Sequence, residues 1–406
     1  MPQRSSTSAS AIRPHPPRLS QSEAHGAAPG RGCGPRETDI MWRQTTSGPQ
    51  WRRPAWAGLV LAAVILLGGS GLQTAHATRP EPRARPGAAR GAPQLQPVRV
   101  GIVAIASEVG LFLAQERGYF AEQGLAADFV RFEGGAQVAA PLSLGELEVG
   151  SGPVSAALFN GINRGLEVRI AAPQSRYEPG YSQLWLSVRQ DLADTIRDYP
   201  DLRGRTIAVL TLASTSELLV ERALQRGGLT LRDASLVQLG PGDQLTAFAN
   251  RAIDAGLLIE PQATIAADRG LAIRWREAAD WSPGIQVSNI LYGPTFTQRD
   301  VSAGQRFLLA YLKGVRDYYD AAIAGRGDRE AVIATLMRYT PLRDRALYDR
   351  MRWAYLDPNL TLDEDDLRTT MQWFVARGLV ERPVDLATAV DRRFVEYALT
   401  ALGLYQ

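Results

Sequence analysis

The chain has 406 residues, with 45 Lys plus Arg against 42 Asp plus Glu, a formal net charge of +3, three histidines and one cysteine. His15, Cys33, His25 and His76 all precede residue 77, so the body that follows has no usual zinc ligand set, no Ser-His-Asp or Cys-His nucleophile and no disulfide. The pI of about 9.1 owes much to arginines near the start, and Lys313 is the sole lysine, so neither is evidence for nucleic-acid binding.

Residues 1–40 are rich in Ser, Pro, Gly and Arg without an apolar period, and are expected to be a disordered extension or a mis-assigned start ahead of Met41. Residues 41–77 have the layout of a signal peptide. Arg43, Arg52 and Arg53 lead into the apolar run Trp56 to Leu67, and Ala75-His76-Ala77 offers small residues for cleavage after Ala77. The alternative is an uncleaved membrane anchor, for which the run is short. Residues 78–97, rich in Pro, Arg and Ala, read as a linker. Cleavage leaves 406 − 77 = 329 residues, enough for two lobes.

The body is organised around VRVGIVAIASEVGLFLAQERGYFAEQGL, Val98 to Leu125. A β-branched run suits a buried parallel strand, and Ala106-Ser107 then opens a helix that ends among Gly118 and Gly124. The same grammar returns in RTIAVLTLASTSELLVERALQRGGL, Arg205 to Leu229, with Ala213-Ser214 at the helix mouth. Further strands are expected at 128–132, 147–150 and 167–172, and in the second copy at 236–239 and 253–256. Helices are expected at 136–144, 154–162 and 244–250. This alternation argues for mostly parallel sheets covered on both faces, with ligands at the carboxyl ends of the strands. Gln183 to Arg189 and Gly284 to Tyr292 read as the two strands that cross between lobes and act as a hinge. From Ser302 onward the chain reads as helices at 305–324, 329–338, 343–353, 364–377 and 386–402. Asp363 to Asp366 suits a helix start better than a metal site.

GLFLAQERGYFAEQGL is similar to the opening of the sulfonate, taurine, nitrate and thiamine-precursor periplasmic binding proteins. The likeness continues in Leu144 to Gly150, Asp201 to Arg205, Ala252 to Ala255 with Glu260-Pro261, and the stretch from Asp357-Pro358 to the last helix. The resemblance spans nearly all of Val98 to Gln406 and is more specific for fold than for ligand. It implies an α/β, type II periplasmic-binding-protein-like fold. Lobe I comprises 98–187 plus 285–406, with helical C-terminal additions, and lobe II comprises 188–284. It further implies a monomeric, non-enzymatic, periplasmic solute receptor that binds a small organic anion, needs no cofactor and delivers cargo to an ABC permease in the inner membrane. A pyrimidine or aromatic-acid receptor, an enzyme of the same fold, and a sensory module held by an uncleaved leader are the alternatives. Relatives that are enzymes use His or Cys, which this body lacks.

Under this reading the helix mouths at Ser107-Glu108 and Ser214-Thr215-Ser216 present free amides and hydroxyls to an anion. Gly134, Gly135 and Ser151-Gly152 let backbone approach the ligand. Arg176 is a candidate to grip it by a forked pair of hydrogen bonds, beside Tyr177. Ser214 with Glu217 equally forms a capping box. Glu260 is placed to meet an amine on the cargo, to cap a helix or to meet an arginine. Tyr181, Trp185, Trp281 and Tyr292 lie near the crossings, as stacking surfaces or as packing.

Overall fold

The computed structural model describes residues 94–406. The expected extension, leader and most of the linker lie outside the described residues. In chain order the main elements are β1 (Gln96–Ile102), α1 (Val109–Glu116), β2 (Leu125–Arg131), β3 (Val149–Pro153), α2 (Ala156–Asn163), β4 (Arg169–Arg176), β5 (Leu184–Arg189), β6 (Thr206–Val209) and α3 (Thr215–Arg226). Then follow β7 (Ser235–Gln238), α4 (Pro241–Ala249), β8 (Ala255–Ile259), α5 (Gln262–Asp268), β9 (Ala272–Glu277), β10 (Gln286–Tyr292), α6 (Val301–Ala322), α7 (Arg329–Tyr339), α8 (Glu364–Ala376) and α9 (Arg393–Leu402). The linker expected to end at residue 97 ends earlier, because Gln96 and Pro97 already pair with Leu125 and Ala126.

The strands form two five-stranded sheets, ordered β2-β1-β3-β10-β4 and β7-β6-β8-β5-β9. In the first, β1 runs parallel to β2 and β3, and β10 is antiparallel to both neighbours. In the second, β6 runs parallel to β7 and β8, and β5 is antiparallel to both neighbours. The repeat read in the sequence is therefore a repeat of topology. Both sheets belong to one compact unit.

The two crossings differ from expectation. Residues 183–189 and 284–292 do not simply bridge the lobes: β5 is inserted between β8 and β9, and β10 between β3 and β4. Their nearly unbroken burial, with only Arg189 of β5 and Val287 of β10 less than fully buried, is what an interior strand covered on both faces requires. Residues 184–187, placed with the first lobe in the sequence reading, thus pair in the second sheet. The actual crossings are short, at 177–183 and 282–285. They are tied together where Tyr177 N donates to Ile285 O (3.2 Å) and Gly284 N donates to Tyr177 O (2.8 Å).

The C-terminal part departs from continuous helix at two places. Only Leu347–Arg350 is helical in the expected 343–353 segment. The chain is then extended, and Tyr355 pairs with Arg176. The helix expected at 386–402 breaks where Val390 pairs with Ile170 and Asp391 N donates to Ile170 O (2.9 Å), covering the β4 edge. Helix α8 packs Phe374 on Phe159 of α2.

The first lobe's main core sets α1 against α6 at a small-residue crossing. A Cβ built on Gly314 would lie 2.2 Å from Gly110 O and 2.8 Å from Ala114 N, so backbone meets backbone there. Gly314→Ala should cost about 3 kcal/mol, as overpacking against rigid backbone does. The cost would be read as a lower urea midpoint. Gly242→Ala, with open space around the added methyl, should not lower it.

Candidate functional site

The carboxyl ends of the parallel strands in the two sheets face one cleft, and two helices open there. Ser155 is the N-cap of α2, with its Oγ accepting from Leu158 N (3.2 Å). Ser214 is the N-cap of α3, with its Oγ accepting from Ser216 N (3.2 Å). The two caps are themselves paired across the lobes, Ser155 with Ser214, in an antiparallel bridge. Two helix N-termini therefore converge on one cavity of about 220 Å³.

Gly134, Gly135, Pro153 and Ser155 wall the cavity from the first lobe, and Thr211, Ser214, Thr215 and Ser216 from the second. Tyr177 and Ile285 floor it at the crossings. Among the described residues no charged side chain lines it, so its polarity comes from amides, hydroxyls and helix dipoles. Burial pushes the Tyr177 hydroxyl pKa up and keeps it a neutral donor.

The hydroxyls divide into two kinds. Ser214 Oγ and Ser216 Oγ both donate to Thr211 O (2.7 and 2.6 Å), and Ser216 Oγ accepts from Thr211 N (3.0 Å). They shape the loop. The Thr215 hydroxyl has no partner among the described residues and borders the cavity. The capping box is also modified: Glu217 reaches Ala213 N (2.8 Å) rather than the cap's own amide.

Ser107, Glu108, Ser151 and Gly152 lie behind the site and not on the cavity wall. Glu108 is fully buried and accepts from Val103 N and Ile105 N, both at 3.0 Å, which pins the turn between β1 and α1. Ser151 Oγ donates to Gln174 Oε1 (2.8 Å) in the same buried layer. Gly152 allows close approach of the 134–135 loop, whose Gly135 O lies 3.4 Å from a Cβ built there.

Two candidates are spent elsewhere. Arg176 donates through Nε to Glu178 (2.7 Å) and through Nη1 to Asp357 (3.0 Å). Two carboxylates already neutralise its guanidinium, so it braces the crossing instead of gripping cargo. Glu260 accepts from Trp185 Nε1 (3.0 Å), Thr264 N (3.1 Å) and Thr264 Oγ1 (2.8 Å), with Arg274 at 3.6 Å. Of its three sequence alternatives, capping a helix and meeting an arginine hold, and no oxygen is left for an amine. The aromatics pack: Trp281 Nε1 donates to Leu219 O (2.9 Å) and Tyr292 OH to Gly304 O (2.9 Å).

Sequence reasoning missed Ser155 and Thr211. Ser155 was legible as a serine directly before Ala156-Ala157-Leu158, but starting the helix two residues early hid it. It also missed a second interlobe cavity, of about 350 Å³, on the other side of the β5 start. There Ile105, Gln183, Ile259 and Leu342 meet, and the Gln183 side chain, 5% exposed, has no hydrogen-bond partner among the described residues. A third cavity, of about 320 Å³, lies outside the cleft beneath α9.

With this geometry in hand, comparison with known proteins is informative. Residues 91–275 match the model of the NMT1-like family. A putative aliphatic sulfonates-binding protein of Bacillus subtilis (strain 168) is 25% identical over 362 residues, covering 84% of this chain and 96% of that protein. The chain is thus similar in sequence to a sulfonate-binding protein along most of its length. The alkanesulfonate-binding protein SsuA from Xanthomonas axonopodis pv. citri, bound to MOPS, superposes with a TM-score of 0.59 at 21% identity, covering 74% of this chain and all of that one. The fold is accordingly that of a two-lobe, type II periplasmic binding protein. The desulfurization enzyme DSZB shares it, with a TM-score of 0.55 at 17% identity over 76% of this chain and 99% of that one. Fold alone thus does not separate receptor from enzyme.

Burial raises the Glu108 carboxyl above its usual value of 4.5, against the opposing pull of its backbone amides. The protonated form is favoured in the fold, so the contribution is fully present below that usual value and is lost as pH rises through the raised one. The stability of wild type relative to Glu108→Gln should therefore fall as pH rises above about 4.5. Urea denaturation on both sides of that pH checks it, and a flat difference contradicts it.

Proposed function

We propose that this protein is the extracytoplasmic substrate-binding component of an ABC importer and holds a small organic anion, such as an aliphatic sulfonate, between its two lobes. The observation that carries the reading is the pairing of Ser155 with Ser214, which aims two helix N-termini at one cavity that, among the described residues, has no cationic side chain. An oxyanion satisfies the free first-turn amides, and the Thr215 hydroxyl and the glycine backbone at 134–135 complete its shell. Ser214 and Ser216 fix the loop, and Tyr177 closes the floor. Leu184, Leu219 and Val287 add apolar wall, which suits a carbon substituent on the anion and is superfluous for a bare inorganic ion.

Receptor is favoured over enzyme on the chemistry available. No histidine or cysteine follows residue 77, and the carboxylates nearest the cleft, Glu108, Glu217 and Glu260, are engaged by backbone or side-chain donors. The reading includes export through cleavage after Ala77 and work as a periplasmic monomer. Among the described residues no helix is long and apolar enough to cross a membrane. A pyrimidine or aromatic-acid cargo is the second reading, favoured by the second cavity, where Gln183 and Glu260 border an apolar wall of Ile105, Ile259 and Leu342.

A thermal-shift screen of the purified protein against alkanesulfonates, taurine, nitrate, aromatic acids and thiamine pyrimidines tests this. A cargo at about 1,000 times its Kd should add about 4 kcal/mol of stability. Thr215→Val should weaken binding of the responding anion by roughly tenfold, the worth of one hydrogen bond to a charged group. A response confined to neutral heterocycles, or turnover of a sulfinate, would replace the reading.

A further inference from the structure

Helix α3 carries a carboxylate where an anion site would least tolerate one. Glu217 lies in its first turn, two residues after the cavity-lining Thr215, and its side chain is only 8% exposed. One oxygen takes Ala213 N (2.8 Å). The other takes Arg377 Nη2 at 2.7 Å. Arg377 is the C-cap of α8, in the first lobe, so this ion pair crosses between lobes. The same guanidinium lies 5.0 Å over the Trp373 ring and 3.9 Å from Glu221, and Trp373 Nε1 donates to Glu221. Helix α8 also packs on α2 through Phe374 and Phe159. It therefore touches both helices whose N-termini meet at the cavity.

An unpaired Glu217 would favour its own helix end while opposing an anion bound there, since the two negative charges lie within a Debye length. Resting on the proposed anion site, we infer that Arg377 is a cross-lobe positioning residue that neutralises Glu217 when the lobes close and so makes the α3 end attractive to the anionic cargo. Arg377 also holds the carboxylate against Ala213 N, so the pair steadies the loop as well as cancelling its charge. Affinity and closure are then linked, because the first lobe supplies the compensating charge.

Two arms test this on the full protein. In the ligand-free protein, Arg377→Gln should speed hydrogen exchange of the 213–218 amides, and Arg377→Lys, which keeps the charge, should not. Equal acceleration in both variants, or none in either, overturns the inference whatever the cargo is. In the second arm, isothermal titration with methanesulfonate, ethanesulfonate and butanesulfonate measures affinity. Arg377→Gln should weaken binding roughly tenfold, and Glu217→Gln in that background should restore most of the loss, because the offending charge is gone. A double variant as weak as the single one would make Arg377 a mere latch and overturn the inference. Wild-type protein that binds none of the three sulfonates tells against the proposed cargo class, and the exchange arm then decides the role of Arg377 by itself.

Discussion

The hydrogen bonds that tie Tyr177 to Gly284 and Ile285 are the constraint on which the cleft depends. Each sheet takes its antiparallel strand from the far side of a crossing: β5 enters the second sheet as soon as the chain arrives, and β10 completes the first only after the chain returns. The first lobe is consequently unfinished until both crossings are made, whereas the second sheet lies wholly between them. The two connections also lie side by side, because β4 and β10 are already neighbours when they leave the first sheet. Arg176, held by Glu178, Asp357 and Tyr355, stiffens the point of departure. The parallel strands of the two sheets then end toward one another, and the helices that follow β3 and β6 open into the gap with no further device.

Buried carboxylates do a common job around that gap. Glu108 takes the amides of residues 103 and 105, Glu217 that of residue 213, and Glu260 that of residue 264. Each is a loop at the mouth of a helix, where amides have no partner inside regular structure. Burying the charge is costly, and the raised carboxyl pKa values of Glu108 and Glu260 express that cost. Both Ala104 and Ala213, which precede these helix mouths, have positive φ, at 64° and 53°. Non-glycine residues hold such conformations only where the surroundings over-determine them. The carboxylates supply that determination, so the loops are set before any ligand arrives.

Much of this was legible in residues and some was not. The strand–turn–helix grammar of Val98 to Leu125 and its return at Arg205 to Leu229 located β1, α1, β6 and α3, because hydrophobic period and glycine stops are local signals. Gly134, Gly135, Tyr177 and Thr215 do border the cavity, since glycines and hydroxyls at the ends of parallel strands sit where such sheets leave room. The roles of Arg176 and Glu260 stayed open because a charged residue beside a cleft looks the same in sequence whether or not it has partners. The partners, Asp357 for one and Trp185 for the other, come from distant parts of the chain. The role of β5 was hidden for the same reason. A largely apolar stretch of six announces a buried strand, but which sheet receives it is decided by pairing with β8 and β9.

The division of the core explains how such a molecule can open. Each lobe keeps its own apolar interior: Leu111, Phe307 and Tyr311 pack in the first, Leu186, Leu218 and Leu224 in the second. What joins the lobes away from the crossings is mainly polar: Arg377 with Glu217, Arg222 with Asp366 at 3.7 Å, Arg350 with Asp268 at 3.0 Å, and the backbone bridge between Ser155 and Ser214. Partly exposed ion pairs contribute little individually, about 0–1 kcal/mol, because water competes for both partners. A shared hydrophobic interface of ordinary size would hold the lobes shut whether or not the cavity was filled. With contacts that are mainly polar, and Trp373 of α8 packed on the second core, the lobes are joined far more weakly than either interior is held. The fold thus concentrates its stability within the lobes and leaves the space between them to the ligand.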